Sequence, residues 1–329
     1  TSTWKAFPRY CFEGDNFSLW SYLDIHGNWT APWVRCSAGL SDVAAKNGVK
    51  VGTLMSIPWD VHININWGTS GHAATLKMLT ESSYGKYKYA EKLVQYMKYY
   101  GINGIGVNSE FKSDRSSMTR LINFFAACHE EGKKQDWEFQ VYWYDGTSSS
   151  GRIHFDGGLD SHNEEMFGAG DRPVVDMLFF NYNWGKDQLN SSARKAKSMN
   201  RSSYDIYAGC DIQKNGMRLS GGDRSWRALS ETKASVGFWG AHSQSLLHQS
   251  ATDDGTSDIA IQKAYLLKQE LCFSGGHRNP AYRPEFTDNC NLSNASLQRF
   301  HGLSSLLTAK STITSVPFVS RFNLGNGLK

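Results

Sequence analysis

Asn108 and Glu110 stand two residues apart at the end of a short, glycine-punctuated apolar run, Gly101-Ile102-Asn103-Gly104-Ile105-Gly106-Val107. In an extended chain side chains alternate between faces, so the amide and the carboxyl point the same way while Ser109 points opposite. At a rise of about 3.3 Å per residue, their Cα atoms lie roughly 6–7 Å apart. A carboxyl so placed can give and take back a proton, and the amide can hold a polar group of the reacting molecule, including an amide of its own. Taken alone, the tripeptide fits an ordinary polar strand end equally well.

Such a pair needs a frame. Strand-like runs are predicted at 8–12, 19–25, 49–57, 102–108, 139–144, 174–182, 206–211 and 236–239. Amphipathic helices are predicted at 40–46, 89–99, 116–131 and 190–200, the second with Leu93, Tyr96, Met97 and Tyr100 on one face. Eight strands alternating with helices predict an α/β fold, a (β/α)8 TIM-type barrel, as a single domain over residues 1–329 with about 300–329 as a closing segment. In that architecture functional groups gather at the C-terminal strand ends. These ends are polar here: Asp24-Ile25-His26, Trp59-Asp60, Asn108-Ser109-Glu110, Trp143-Tyr144-Asp145, Asn181-Tyr182-Asn183-Trp184, Asp211-Ile212-Gln213 and Trp239-Gly240-Ala241-His242.

Composition narrows the chemistry. With 40% apolar and 20% charged residues, the 329-residue chain is neither disordered nor a coiled coil. A net charge of +4 without a Lys/Arg block argues against nucleic acid or an anionic membrane as partner. No apolar run approaches the ~20 residues of a membrane span. The six cysteines are scattered without a CxxC pair, which argues against a zinc site or a disulfide framework; Cys128 and Cys272 read as buried thiols. Histidines such as His26, His62, His242 and His277 stand in no cluster at ligand spacing and no Gly-X-Ser-X-Gly elbow accompanies them, so neither metal, cofactor nor nucleophilic serine is expected. Aromatic residues are the outlier at 13%, with 11 Trp, several beside Asn, Asp or Gly (Asn28-Trp29, Trp59-Asp60, Asn66-Trp67, Asn183-Trp184). A flat ring flanked by polar groups suits the apolar face and hydroxyls of a sugar.

The ordered set 45–53, Asn108-Ser109-Glu110, Trp143-Tyr144-Asp145, Phe180-Asn181-Tyr182-Asn183-Trp184, 204–209 and 311–323 resembles glycoside hydrolase family 85 over nearly the whole chain. These are endo-β-N-acetylglucosaminidases that cut the chitobiose core of N-glycans. The resemblance implies N-linked glycans and glycoproteins, with a GlcNAc2 core and mannose arms, as partners. It also implies a retaining, substrate-assisted reaction in which the 2-acetamido oxygen attacks its own anomeric carbon to form an oxazoline, with transglycosylation as a further outcome. Glu110 is then the acid and base, Asn108 the support of the acetamido group, Tyr144 its orienting partner and Trp184 a stacking wall. Asn181, Asn183, Trp143, Trp59, Asp60, Asp211 and Trp239 are the further sugar-contact candidates, and the stretch Asp60, His62, Asn66, Trp67 fits either mannose arms or a solvated loop.

After Tyr144-Asp145 the family's Trp-Gln-Asn-like stretch is replaced by His154-Phe155-Asp156. Two other readings stand beside the main one. A non-catalytic glycan-binding pseudo-glycosidase would need no acid at the position of Glu110. A chitinase-like acetamido-assisted hydrolase would carry acidic residues leading to the catalytic Glu, and 104–109 holds none. A monomer is expected, and a secreted or cell-surface bacterial setting is preferred over a cytoplasmic one.

Overall fold

The computed structural model describes residues 17–27, 34, 36, 38–219, 221–240, 258–275 and 285–307. The chain runs through β1 (Ile25–Gly27), α1 (Ala38–Lys46), β2 (Lys50–Met55), α2 (Gly71–Leu79), a small hairpin β3 (Ser82–Ser83) and β4 (Lys86–Tyr87), α3 (Lys88–Tyr99), β5 (Gly104–Val107) and α4 (Arg115–Lys134). It continues with β6 (Gln140–Tyr144), α5 (Glu164–Phe167), β7 (Met177–Phe180), α6 (Lys186–Ser198), β8 (Ile206–Asp211), α7 (Ile212–Asn215), α8 (Trp226–Ser230) and β9 (Ser235–Trp239). A further helix, Asp258–Ser274, and two short ones, Asn294–Leu297 and Leu303–Leu306, follow.

All strands but the hairpin pair in parallel, in the order β1-β2-β5-β6-β7-β8-β9, as the curled sheet of a TIM-type α/β fold. The expected strand 8–12 and the resembling segment 311–323 lie outside the described residues, as does most of the expected closing segment. The expected strand 19–25 is corrected. Trp20–Tyr22 is a 3-10 turn, because Trp20 buries its indole against Ala44, Val49 and Val51, and the strand starts only at Ile25. Among the described residues no helix is long and apolar enough to cross a membrane.

Parallel strands flanked by helices are apolar on both faces. On the outer face Ile105, Val107, Val141, Trp143, Leu178 and Phe180 pack with α4 residues Met118, Leu121, Ile122 and Phe125 in one core. Helix α4 is capped by Asp114, whose carboxylate accepts from Ser117 N at 2.9 Å and Ser117 Oγ at 2.8 Å. Helix α3 turns only part of the expected stripe inward: Met97 is buried and Leu93 packs half-buried on the core, joined by the buried Ala90 and Val94, while Tyr96 and Tyr100 are exposed. Small and branched residues let the helix approach the core closely. The large tyrosine rings instead lean on one another outside, with Tyr96 and Tyr100 centroids 4.7 Å apart.

The inner face is built by aromatic rings lying over glycines. Gly52 and Gly104 flank the buried Tyr142 ring, and Gly209 and Gly237 flank Phe179. A Cβ on Gly104 would stand 2.1 Å from the Tyr142 ring, and one on Gly237 2.1 Å from Phe179. The Tyr142 hydroxyl is fixed by Gln140 Oε1 at 2.8 Å, so the ring has little room to move. Gly104→Ala is therefore expected to destabilise the fold by roughly 1–3 kcal/mol through overpacking. Chemical denaturation of the variant checks this, and an unchanged midpoint would refute the ring-over-glycine account.

Candidate active site

Strand register decides which side chains meet at the mouth. Val107 pairs with Trp143, so Asn108 and Tyr144 are the next neighbours along β5 and β6. Tyr144 pairs with Phe179, two residues before Asn181, and Asp211 pairs with Trp239. Phe179 pairs with Tyr207, four residues before Asp211, so the same parity runs across β6, β7, β8 and β9. Pleat alternation then sends Asn108, Tyr144, Asn181, Asp211 and Trp239 to the inner face at the C-terminal strand ends.

Ser109 takes the opposite direction, as alternation requires, and is fully buried. Its hydroxyl donates to Tyr144 O, and its own carbonyl accepts from Thr147 Oγ1 at 2.7 Å. The residue between the amide and the acid thus ties β5 to β6. The Glu110 carbonyl accepts from Asp60 N at 2.7 Å, which fixes the backbone under the half-buried carboxyl.

Tyr144 donates to Asn181 Oδ1 at 2.6 Å. Its ring touches Phe155, Phe179 and Tyr182 at centroid distances of 6.0, 6.1 and 6.3 Å. Burial raises the Tyr144 phenol well above its ordinary range, and the charges of Glu110, Asp145 and Asp211 push it further. Tyr182 is raised by burial, then by Tyr144, Asp211, Cys210 and Glu110. Both phenols stay protonated at any physiological pH and can serve only as neutral hydrogen-bonding groups. The site so assembled brings together the carboxyls of Glu110 and Asp211, two amides and two neutral phenols beside the rings of Phe155 and Phe179. It can transfer a proton and hold an amide.

The remaining expected contacts divide sharply. Trp184 and Trp143 are each 1% exposed. Trp184 donates its indole N–H to Gly209 O at 2.7 Å, and Trp143 donates to Thr147 O at 3.2 Å. Neither presents a ring face to a sugar, so both expectations are corrected: alternation puts Trp143 on the outer face, and Trp184 turns back into the core behind β8. Trp59 and Trp67 are exposed, at 72% and 80%. Asp60 pairs with Lys112 at 2.5 Å. Asn183 donates to Phe155 O at 2.7 Å, Trp239 donates to Gln213 Oε1 at 2.6 Å, and Asp211 caps α7 by accepting from Lys214 N at 2.9 Å. His242 and His277 lie outside the described residues. Cys128 and Cys272 are buried as expected, and burial raises both thiols, Cys272 to about 12.

Sequence reasoning left Asp145 without a role. It is 2% exposed and anchors the loop that follows β6, accepting from Gly157 N at 2.8 Å and Asn163 Nδ2 at 3.2 Å. Burial outweighs these bonds and pushes its carboxyl up from 3.8 to about 7. Between those values the native state holds a proton that the unfolded chain has lost, so stability falls as pH rises through about 7. At ~1.4 kcal/mol per pKa unit, the loss approaches roughly 4 kcal/mol in full. Melting of the parent and of Asp145→Asn between pH 4.5 and 8 is expected to show the parent losing ground to the variant as pH rises. Parallel curves would refute this.

The same loop brings His154, Asp156 and His162 together, with ligand atoms all within 4.8 Å of one another. Sequence reading expected no metal group because it looked for familiar ligand spacing; His154 and Asp156 were noticed only as a departure from the family pattern, and His162 was not singled out. A surface depression of about 680 Å³ between α2 and α4 is a poorer candidate for the reacting site. None of the strand-end groups lines it, and its Arg120 is already engaged by Thr80 Oγ1 at 2.7 Å and Lys77 O at 2.8 Å.

Comparison with known proteins adds to this geometry. Residues 8–329 match the profile of glycosyl hydrolase family 85. The cytosolic endo-beta-N-acetylglucosaminidase of Danio rerio is 24% identical over 215 residues, covering 65% of this chain and 28% of the relative. That of Homo sapiens is 24% identical over 212 residues, covering 62% and 25%. The chain thus spans about a quarter of the length of the curated relatives it matches. The glycoside hydrolase domain of Endo-D from Streptococcus pneumoniae R6 superposes with a TM-score of 0.65 at 22% identity, over 85% of this chain and 42% of that one.

Proposed function

The chain belongs to glycosyl hydrolase family 85, and on that premise we propose that it is an endo-β-N-acetylglucosaminidase acting on the GlcNAc-β1,4-GlcNAc core of N-glycans. The observation that carries the reading is the shared register of Asn108 and Tyr144 beside Glu110, with Tyr144 held neutral and bound to Asn181.

Each group has a task its chemistry suits. Glu110 protonates the departing glycosidic oxygen and later takes a proton from water or an acceptor sugar. Asn108 bonds the 2-acetamido group and stabilises it as it turns into a cationic imidate while its oxygen attacks the anomeric carbon. Tyr144, which cannot ionise, hydrogen-bonds the same group and fixes its direction through Asn181. The nucleophile comes from the substrate, so a second carboxylate is not required. Asp145 does not supply one, being spent on Gly157 and Asn163. Trp59 and Trp67 offer exposed ring faces for mannose arms beside Asp60. Trp239, Asp211 and Asn183 stand beside these groups at the strand ends.

The relatives in Danio rerio and Homo sapiens are named cytosolic, which supports a cytoplasmic setting over the secreted one expected from sequence. The chain acts as a monomer in this reading. Mass spectrometry of a high-mannose glycoprotein incubated with the chain tests the proposal. Release of a glycan ending in one GlcNAc, with one GlcNAc left on Asn, supports it. Retained glycan binding without cleavage would favour the pseudo-glycosidase instead.

A further inference from the structure

We propose that His154, Asp156 and His162 form a binding site for a borderline divalent transition-metal ion, of the Zn²⁺ class, on the loop that walls the mouth. The two imidazoles stack at a centroid distance of 4.0 Å and an angle of 17°. His162 Nδ1 lies 3.1 Å from Asp156 Oδ2 and 3.6 Å from Asp160 Oδ1. Ligands at about 2.0–2.1 Å around a tetrahedral zinc stand roughly 3.3 Å from one another. The His162–Asp156 separation already matches that edge, and the stacked His154 imidazole, whose ligand atom lies within 4.8 Å of the other two, turns out of the stack to aim its nitrogen at the ion.

The backbone carrying these groups is fixed from several sides. His154 N donates to Gly146 O at 2.8 Å, and the His162 carbonyl accepts from Ser149 N at 3.0 Å and Ser149 Oγ at 3.2 Å. His162 N donates to Asp160 Oδ1 at 2.8 Å, and Gly157 is held by Asp145. An ion would therefore meet ligands whose main chain is already in place, so less ordering entropy opposes binding. Two imidazoles with a carboxylate favour Zn²⁺, Co²⁺, Ni²⁺ or Cu²⁺ over Mg²⁺ or Ca²⁺, which prefer oxygen cages.

The site has a consequence for the mouth. Phe155 sits between two of the ligands, its carbonyl accepting from Asn183 and its ring against Tyr144. A bound ion clamps both flanks of Phe155 and so fixes the wall beside Tyr144. The metal site itself does not depend on the proposed hydrolase activity.

Zn²⁺ titrated calorimetrically into the full chain at pH 7.5, and Co²⁺ followed by its visible d–d absorption, test the proposal directly. One ion per chain is expected, with no response to Mg²⁺. His154→Ala and His162→Ala should each weaken binding by at least about tenfold, in the range seen for disturbed metal sites. His62→Ala, an exposed histidine on another loop, should leave it unchanged. On the unaltered chain, Zn²⁺ should protect His154 and His162 from diethyl pyrocarbonate, mapped by mass spectrometry, so the result does not depend on the variants folding. No uptake of either ion, or uptake indifferent to both substitutions and without protection, would overturn the site.

Discussion

Replacing Glu110 with Gln is expected to lower glycan hydrolysis by about 10²–10⁴-fold, the usual worth of a positioned general acid, without unfolding the chain. The substitution keeps the side chain's length and shape and removes only its ability to give up a proton. Its backbone bond, from Asp60 N to Glu110 O, does not involve the side chain and persists. Glu110 is half-buried and adds to the burial effects that raise Tyr144 and Tyr182. Removing its charge therefore leaves both phenols protonated, as the mechanism needs, so the loss isolates proton transfer. Single-turnover release of glycan, paired with a melting curve, makes the measurement. Hydrolysis at the parent rate from a folded Glu110→Gln chain would remove Glu110 from the acid role and the proposed mechanism with it.

The groups that could be read from sequence were those fixed by period-two alternation. Alternation was expected to turn Ser109 away from Asn108 and Glu110, and Ser109 is buried and tied to Tyr144 O. β2, β5, β6, β7, β8 and β9 stand inside or within one residue of their expected runs for the same reason: apolar runs bounded by polar ends. What failed was decided by the third dimension. Trp184 neighbours Asn183 in a polar stretch, yet a turn after β7 carries the indole to Gly209 O, a contact 25 residues away in sequence. The stripe expected on helix α3 held only at Leu93 and Met97, and close approach to the core selected the small Ala90 over Tyr96 and Tyr100. His154, Asp156 and His162 meet because Asp145 and Ser149 fold their loop back on itself, and no local pattern carries that information.

Asn108→Ala is expected to cut hydrolysis of intact glycan by about 10²–10³-fold, the range for losing one preorganised polar group that stabilises transition-state charge. It should nevertheless spare the use of a preformed sugar oxazoline. The argument rests on where charge develops. When the acetamido oxygen attacks the anomeric carbon, its C–N unit becomes an imidate, and the amide of Asn108 stabilises that charge more than the ground state. A donor that already contains the oxazoline ring has passed that step, and what remains is proton removal from the acceptor, which belongs to Glu110. Tyr144 and Asn181 stay linked in the variant, because their 2.6 Å bond does not pass through Asn108. The two substitutions therefore separate: Glu110→Gln loses both reactions, whereas Asn108→Ala loses only the first. An Asn108→Ala chain that hydrolysed intact glycan like the parent would break the assisted mechanism while leaving the acid in place. Equal loss of both reactions would instead assign Asn108 to holding the sugar in every state, and its amide would then bind without steering the chemistry.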